Sequence, residues 1–118
     1  MKHNLNIISI IPARMNSSRF PGKPMVKIND KPMIGHVYER VSKSKLLNTT
    51  IVATCDKEIA DYIQLIGGIG IMTSDKHERA SDRCAEALLK IEKLNNLKYD
   101  IIVMVQGDEP LIVPEMID

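Results

Sequence analysis

Apolar and polar positions divide the chain into alternating runs and stripes. Ile7-Ile8-Ser9-Ile10-Ile11 is apolar almost throughout, and predicts a central parallel strand from Asn6 to Pro12, covered on both faces. Met25-Val26-Lys27-Ile28 predicts a short extended piece and Asn29-Asp30-Lys31 a turn, after which Pro32 opens a helix. In that helix Ile34, Val37, Tyr38 and Val41 fall at i, i+3, i+4 and i+7, forming one apolar stripe opposite Glu39, Arg40 and Lys43.

The same alternation recurs. Thr50-Ile51-Val52-Ala53-Thr54 predicts a second strand, and Asp56 is placed to cap a helix with the stripe Ile59, Tyr62, Ile63 and Ile66, stopped by Gly67-Gly68. Gly70-Ile71-Met72 predicts a third strand. A polar loop, residues 73–80, follows it, and Ser81 is expected to cap a helix with the stripe Cys84, Ala87, Leu88 and Ile91, ending near Asn95-Asn96. Asp100-Ile101-Ile102-Val103-Met104-Val105 predicts a fourth strand of the buried type. Four strand–helix alternations predict an α/β fold with a right-handed, mostly parallel sheet flanked by helices. Pro114-Glu115-Met116-Ile117-Asp118 reads as a first helical turn at the end of the chain, so the 118 residues are expected to be part of a longer protein or a naturally short version of one.

Composition narrows the function classes. A length of 118 residues suits one domain. With 16 basic against 15 acidic residues and a net charge of +1, nothing favours a nucleic-acid or membrane surface, and with one Phe, three Tyr and no Trp a base-stacking platform is not expected. Two cysteines, Cys55 and Cys84, without a CxxC, predict buried reduced thiols rather than a metal cluster or disulfide framework. The N-terminus resembles no secretory signal and no run reaches membrane-spanning length, which predicts a soluble, cytoplasmic protein. Seven scattered Met residues read as core filling.

Two strand ends carry the candidate chemistry. The first strand empties into a loop bearing Arg14, Arg19 and Lys23 among turn-forming residues, and a basic loop at a strand end suits a polyphosphate. Arg14 can grip phosphate oxygens bidentately while Lys23 acts as a mobile point charge; Arg19 can share that work. Gly22 permits close backbone approach to a ligand. The fourth strand delivers Gln106-Gly107-Asp108-Glu109-Pro110 on the same side of the sheet. A carboxylate facing a triphosphate-binding loop is a common way to hold magnesium, which makes Asp108 the metal-ligand candidate. His77, Arg79, Ser81, Asp82 and Arg83, near a helix N-terminus, form a weaker anion or polar-group candidate. His36 and His3 have no partner at metal-ligand spacing.

Taken together, Ile11-Pro12-Ala13-Arg14, Ser18-Arg19-Phe20-Pro21-Gly22-Lys23-Pro24, Lys31-Pro32-Met33-Ile34, His36-Val37-Tyr38-Glu39-Arg40, Ile51-Val52-Ala53-Thr54, Met72-Thr73-Ser74, Ser81-Asp82-Arg83 and Val105-Gln106-Gly107-Asp108-Glu109-Pro110-Leu111-Ile112 resemble the 3-deoxy-manno-octulosonate cytidylyltransferase (CMP-Kdo synthetase) family, N-terminal half. The resemblance implies a nucleotide-diphospho-sugar transferase (Rossmann-like) fold, of which residues 1–118 are the nucleotide-binding part. It also implies Mg2+-dependent transfer of CMP from CTP to a keto-sugar acid such as Kdo, with release of pyrophosphate, as a step towards lipopolysaccharide. By the same resemblance Arg14 and Lys23 are the catalytic residues; Pro12, Ala13, Arg14, Arg19, Lys23, Ser81, Arg83 and Gln106 lie at the nucleotide, and Asp108 at the metal. A homodimer is implied for the full-length family. This chain departs from it at Arg79-Ala80-Ser81, where the family commonly carries Ser-Gly-Thr, and in length, the family chain being about twice as long. Two other readings remain open: a non-catalytic nucleotide-binding or assembly module, and a glycosyltransferase of the same broad fold, although Gln106-Gly107-Asp108-Glu109 lacks the Asp-x-Asp motif that such enzymes normally need.

Overall fold

The computed structural model describes residues 6–15, 22–44, 47, 49–76 and 79–105, with Lys23 described in its backbone alone. A four-stranded sheet has the order β5-β4-β1-β6, built from β1 (Ile7–Ala13), β4 (Thr49–Thr54), β5 (Ile69–Met72) and β6 (Ile101–Met104). All three pairings are parallel. A two-stranded antiparallel hairpin, β2 (Lys27–Ile28) with β3 (Lys31–Pro32), precedes α1 (Met33–Ser42); α2 (Lys57–Leu65) and α3 (Ala80–Asn95) complete the set.

Alternation along the strands sorts the core into two layers. Ile8 and Ile10 of β1, Ile51 and Ala53 of β4, and Ile71 of β5 pack with Cys84, Ala87 and Ile91 of α3. Ile11 and Ala13 of β1 and Val52 of β4 turn the other way, against Ile34, Val37 and Val41 of α1 and Ile59 and Ile63 of α2. The sheet is therefore wound on both faces, as the near-continuous apolar character of β1 requires. Each fully buried Ile contributes roughly 1.5–3 kcal/mol over an exposed one. Gly70 lets α2 settle on β5, because a Cβ there would lie 3.0 Å from the Ala60 Cα.

The predicted turn is the tip of the small hairpin. Asn29 (φ 53°) and Asp30 (φ 65°) both have positive φ, as a two-residue type I′ connection demands, and Asn and Asp tolerate that region better than most residues. Pro32 occupies the cap position rather than the first helical turn, and the Met33 N–H donates to the Val26 carbonyl at 2.8 Å. The His36 ring bonds through Nε2 to the Ile28 carbonyl at 2.6 Å, which joins α1 to the hairpin. The stripes of α1, α2 and α3 all face the core, and α3 ends as expected, with Asn96 left-handed at φ 51°.

Four expectations require correction. Ser81 does not cap α3: the helix begins at Ala80, with Arg79 as the extended cap residue, and Ser81 lies exposed in the first turn. Asp56 holds the cap position of α2 but makes no side-chain cap bond, because its carboxylate is engaged elsewhere. Cys55 is half-buried, and only Cys84 is buried outright. The fourth predicted strand, β6, is not covered on both faces: Ile101, Ile102 and Met104 are 42%, 46% and 45% exposed. Among the described residues β6 is an edge strand with β1 as its only strand partner, so an apolar run alone could not distinguish edge from centre. The helical turn expected near Pro114 lies outside the described residues.

Burial pushes the Cys84 thiol from 9.0 up to about 11, against a smaller opposing pull from the Arg83 charge. As pH rises past 9 the unfolded chain loses this proton first, so stability should fall towards pH 11 by up to about 1.4 kcal/mol per pH unit from this group. Tyr38 and Tyr62, both raised from 10.0 chiefly by burial, act with the same sign. Urea unfolding from pH 8 to 11 should therefore give a shallower loss of stability for Cys84→Ala than for the parent chain. Parallel curves would contradict this assignment.

Candidate functional site

Parallel pairing brings the carboxyl ends of all four strands to one edge of the sheet. Ala13 is level with Thr54, and Thr54 with Met72. From β1 the chain passes to β4 and β5 on one side, then returns across the sheet to β6 on the other. The order therefore reverses between β1 and β6, and in open α/β sheets ligands bind in the crevice outside the carboxyl ends at such a point. The residues that leave β1 are Arg14 and Met15. Val105 leaves β6, with its N–H donating to the Ile10 carbonyl at 3.1 Å, and Gln106 follows it in sequence.

The described part of the β1 loop is anchored at both ends. The Met15 carbonyl accepts the Gly22 N–H at 2.6 Å, and the Met25 N–H donates to the Gly22 carbonyl at 3.0 Å. Gly22 has φ 78°, a conformation that side chains other than Gly rarely adopt. Arg14 is half-buried at the mouth of the loop, and the backbone of Lys23 begins a 3₁₀ turn, Lys23–Met25. The ends of the basic segment thus meet, and its two outermost cations, Arg14 and Lys23, flank the closure.

Asp56, at the neighbouring strand end, was expected to cap a helix. Instead its Oδ2 accepts the Met15 N–H at 2.7 Å, across 41 positions of sequence. A local cap would contribute about 0.5–2 kcal/mol, whereas a charge-assisted bond between two loops fixes their relative placement as well. The Asp56 N–H in turn donates to Thr54 Oγ1 at 3.0 Å, and the Thr54 carbonyl accepts the Thr73 N–H at 2.8 Å. These bonds tie together the ends of β1, β4 and β5. The Cys55 thiol, 3.7 Å from Asp56 Oδ2, is raised above its usual value by burial and then by the Asp56 charge, while the Arg83 charge pulls it down. A thiol so raised is a poor nucleophile at neutral pH.

Of the residues singled out in the sequence, Pro12, Ala13 and Arg14 lie at the carboxyl end of β1, with Ala13 buried. Lys23 lies at the far side of the loop closure. Ser81 is exposed on the first turn of α3, and Arg83, in the same turn, is only 3% exposed, with its charge felt at both cysteines. Arg19, His77, Gln106 and Asp108 lie outside the described residues. No group of three or more His, Cys, Asp or Glu side chains able to hold a metal occurs among the described residues. The bond from Met15 to Asp56 has no signal in the sequence, because the position of Asp56 just before a helical stripe already explains an Asp.

A groove of about 430 Å3 lies elsewhere, along the outer edge of β5, lined by Gly70, Ile71, Met72, Lys90, Lys93 and Leu94. It is mostly apolar, and Lys90 is occupied there by the Met72 carbonyl at 2.7 Å and by Glu86 at 2.8 Å. The groove lacks the anchored basic backbone found at the end of β1.

Comparison with known proteins gives a consistent picture. A family model described as cytidylyltransferase matches residues 8–118. The 3-deoxy-manno-octulosonate cytidylyltransferase of Pelobacter propionicus is 49% identical over 114 residues, covering 97% of this chain and 42% of that protein. The mitochondrial 3-deoxy-manno-octulosonate cytidylyltransferase of Arabidopsis thaliana is 48% identical over 117 residues, covering 99% of this chain and 39% of its own. Among solved structures, that of CMP:2-keto-3-deoxy-manno-octonic acid synthetase complexed with CTP is similar with a TM-score of 0.82 and 40% identity, covering 95% of this chain and 44% of that one. A 4-diphosphocytidyl-2C-methyl-D-erythritol synthase, at 15% identity and a TM-score of 0.72, shares the fold. The chain spans well under half the length of the curated relatives it matches.

The positive φ at Gly22 makes a direct prediction. Gly22→Ala should destabilise the chain by about 1–2 kcal/mol, although its Cβ would meet nothing nearer than the Met15 methyl at 3.7 Å. Gly22→Asn should cost less, since Asn tolerates this region. Denaturant midpoints of the two variants check the order, and equal midpoints for both variants and the parent would contradict it.

Proposed function

The chain belongs to the cytidylyltransferase family, and from that premise we propose that it is the nucleotide-binding part of an enzyme that transfers CMP from CTP to a keto-sugar acid such as Kdo. The single observation that carries this reading is the anchored basic loop at the carboxyl end of β1, beside the point where the strand order reverses. The names of the relatives support Kdo as the acceptor, and the CTP complex of the similar synthetase supports CTP as the donor.

In the proposed reaction the anomeric hydroxyl of the sugar acid attacks the α-phosphorus of CTP. A new oxygen–phosphorus bond forms, the bond to the β-phosphate oxygen breaks, the hydroxyl proton is released, and pyrophosphate leaves. Such displacement needs positioning and charge neutralisation more than covalent chemistry from the protein. Arg14 and Lys23 are assigned to the triphosphate and act as the catalytic cations. Pro12 and Ala13 supply close backbone approach, Arg19 adds charge, and Ser81, Arg83 and Gln106 contact the nucleoside side. Magnesium is commonly held by one or two carboxylates together with phosphate oxygens rather than by an all-protein cage. Asp108 is the residue assigned to it, and when bound the ion offsets negative charge on the triphosphate.

No helix among the described residues is long and apolar enough to cross a membrane. A cytoplasmic location and a homodimer of the full-length protein belong to the same proposal, as does the assignment of residues 1–118 to the nucleotide-binding part.

The test is pyrophosphate release with CTP, Mg2+ and a panel of keto-sugar acids, run on this chain and on a chain of the relatives' full length. The reading predicts CTP-dependent release with Kdo by the longer chain, and specific CTP binding by the shorter. Lys23→Ala, Arg14→Ala and Asp108→Ala should each lower turnover by about 100-fold or more, with thermal stability changed far less. Binding without turnover in both chains would favour a non-catalytic nucleotide module, and equal loss of stability and activity in the variants would contradict the assigned roles.

A further inference from the structure

We propose that Asp56 is a positioning residue for the nucleotide: its carboxylate holds the peptide at Met15 so that Arg14 and the Gly22-Lys23 backbone are kept in place at the end of β1. The proposal rests on the nucleotide reading above for its ligand and on the local geometry for its mechanism.

Met15 is held on both sides of its backbone. Its N–H donates to Asp56 Oδ2 at 2.7 Å, and its carbonyl accepts the Gly22 N–H at 2.6 Å. The residue before it is Arg14, and the residue after Gly22 is Lys23. A single anchor at Met15 therefore sets where both cations leave the scaffold. Asp56 is itself fixed, through its N–H to the buried Thr54 hydroxyl at 3.0 Å, and Thr54 is paired with the last residue of β1 and with β5. The anchor thus ties Met15, and through it Gly22, to the sheet.

The helix does not explain this side chain. Asp56 is extended at φ −108° and ψ 119°, the usual setting for a cap, yet its carboxylate makes no bond to the first turn of α2. Its charge does not explain it either, since a carboxylate near bound phosphates repels them. What remains is its geometry as an acceptor: beside the adjacent Cys55 thiol at 3.7 Å, Oδ2 takes the Met15 amide of the neighbouring loop at 2.7 Å. An acceptor of the same shape without charge should therefore do most of the work, and a side chain that cannot accept should not.

The test uses the intact chain and two variants, Asp56→Ala and Asp56→Asn, with CTP and Mg2+ as the probe. Calorimetric Kd values should rise about tenfold for Asp56→Ala and stay within about threefold of the parent for Asp56→Asn. In the ligand-free chains, hydrogen exchange at the Met15 and Gly22 amides should accelerate in Asp56→Ala, while the core amides of Ile10 and Ile51 keep their protection. Unchanged affinity in Asp56→Ala, or an Asn variant as weak as the Ala variant, would overturn the proposal. Loss of protection throughout the core would also overturn it, by making Asp56 a support of the whole fold. If the parent chain binds no CTP, the nucleotide reading falls and this role with it; exchange confined to Met15 and Gly22 would still identify Asp56 as the anchor of the loop.

Discussion

The structure depends on β1 being held along both edges and both faces at once. It pairs in parallel with β4 on one side and β6 on the other, and Ile8, Ile10 and Ile11 have no exposed surface. Truncating any one of these to Ala carries a cost of roughly 2–5 kcal/mol, a large fraction of a small domain's stability. A strand so confined cannot shift register without turning its apolar set to the wrong layer. The point where it releases the chain, after Ala13, is consequently the best-determined place for a loop to start.

The proposed function draws on what is attached at that point. The chain winds one way from β1 and returns on the other side as β6, so the carboxyl ends of β1 and β6 lie side by side where the strand order reverses, the place where open α/β sheets bind ligands. The sequence supplies cations after β1 and a carboxylate-bearing segment after β6, in a chain that belongs to the cytidylyltransferase family. Asp56, at the end of β4, bonds to the first residues that leave β1. That bond fixes Met15 relative to the end of β4, and the Met15 carbonyl in turn accepts the Gly22 N–H.

Much of this was legible in the sequence because periodicity reports burial directly. The stripes Ile34-Val37-Tyr38-Val41 and Cys84-Ala87-Leu88-Ile91 face the core as expected, and Asn29-Asp30 forms the turn that their tolerance of positive φ allows. Less was legible where a residue's partner is distant in sequence. Asp56 looked like a local cap and proved to bond 41 residues away. Ser81 looked like a cap as well, but α3 begins at Ala80 and leaves it in the first turn. The apolar run of β6 resembled that of β1, yet its neighbours differ, and neighbours rather than composition decide whether a strand is covered. At the candidate site, Arg14 and the backbone of Lys23 flank a backbone closure between Met15 and Gly22 that no local pattern signalled, while Arg19, Gln106 and Asp108 lie outside the described residues.

The most direct measurement is a titration of the isotope-labelled chain with CTP and Mg2+, followed by its backbone amide resonances. Binding at the carboxyl end of β1 predicts saturable shifts concentrated at Ala13, Arg14, Met15, Gly22 and Val105. Shifts concentrated instead along the outer edge of β5, at Gly70 to Met72 and Lys90 to Leu94, or no saturable shifts at all, would contradict it.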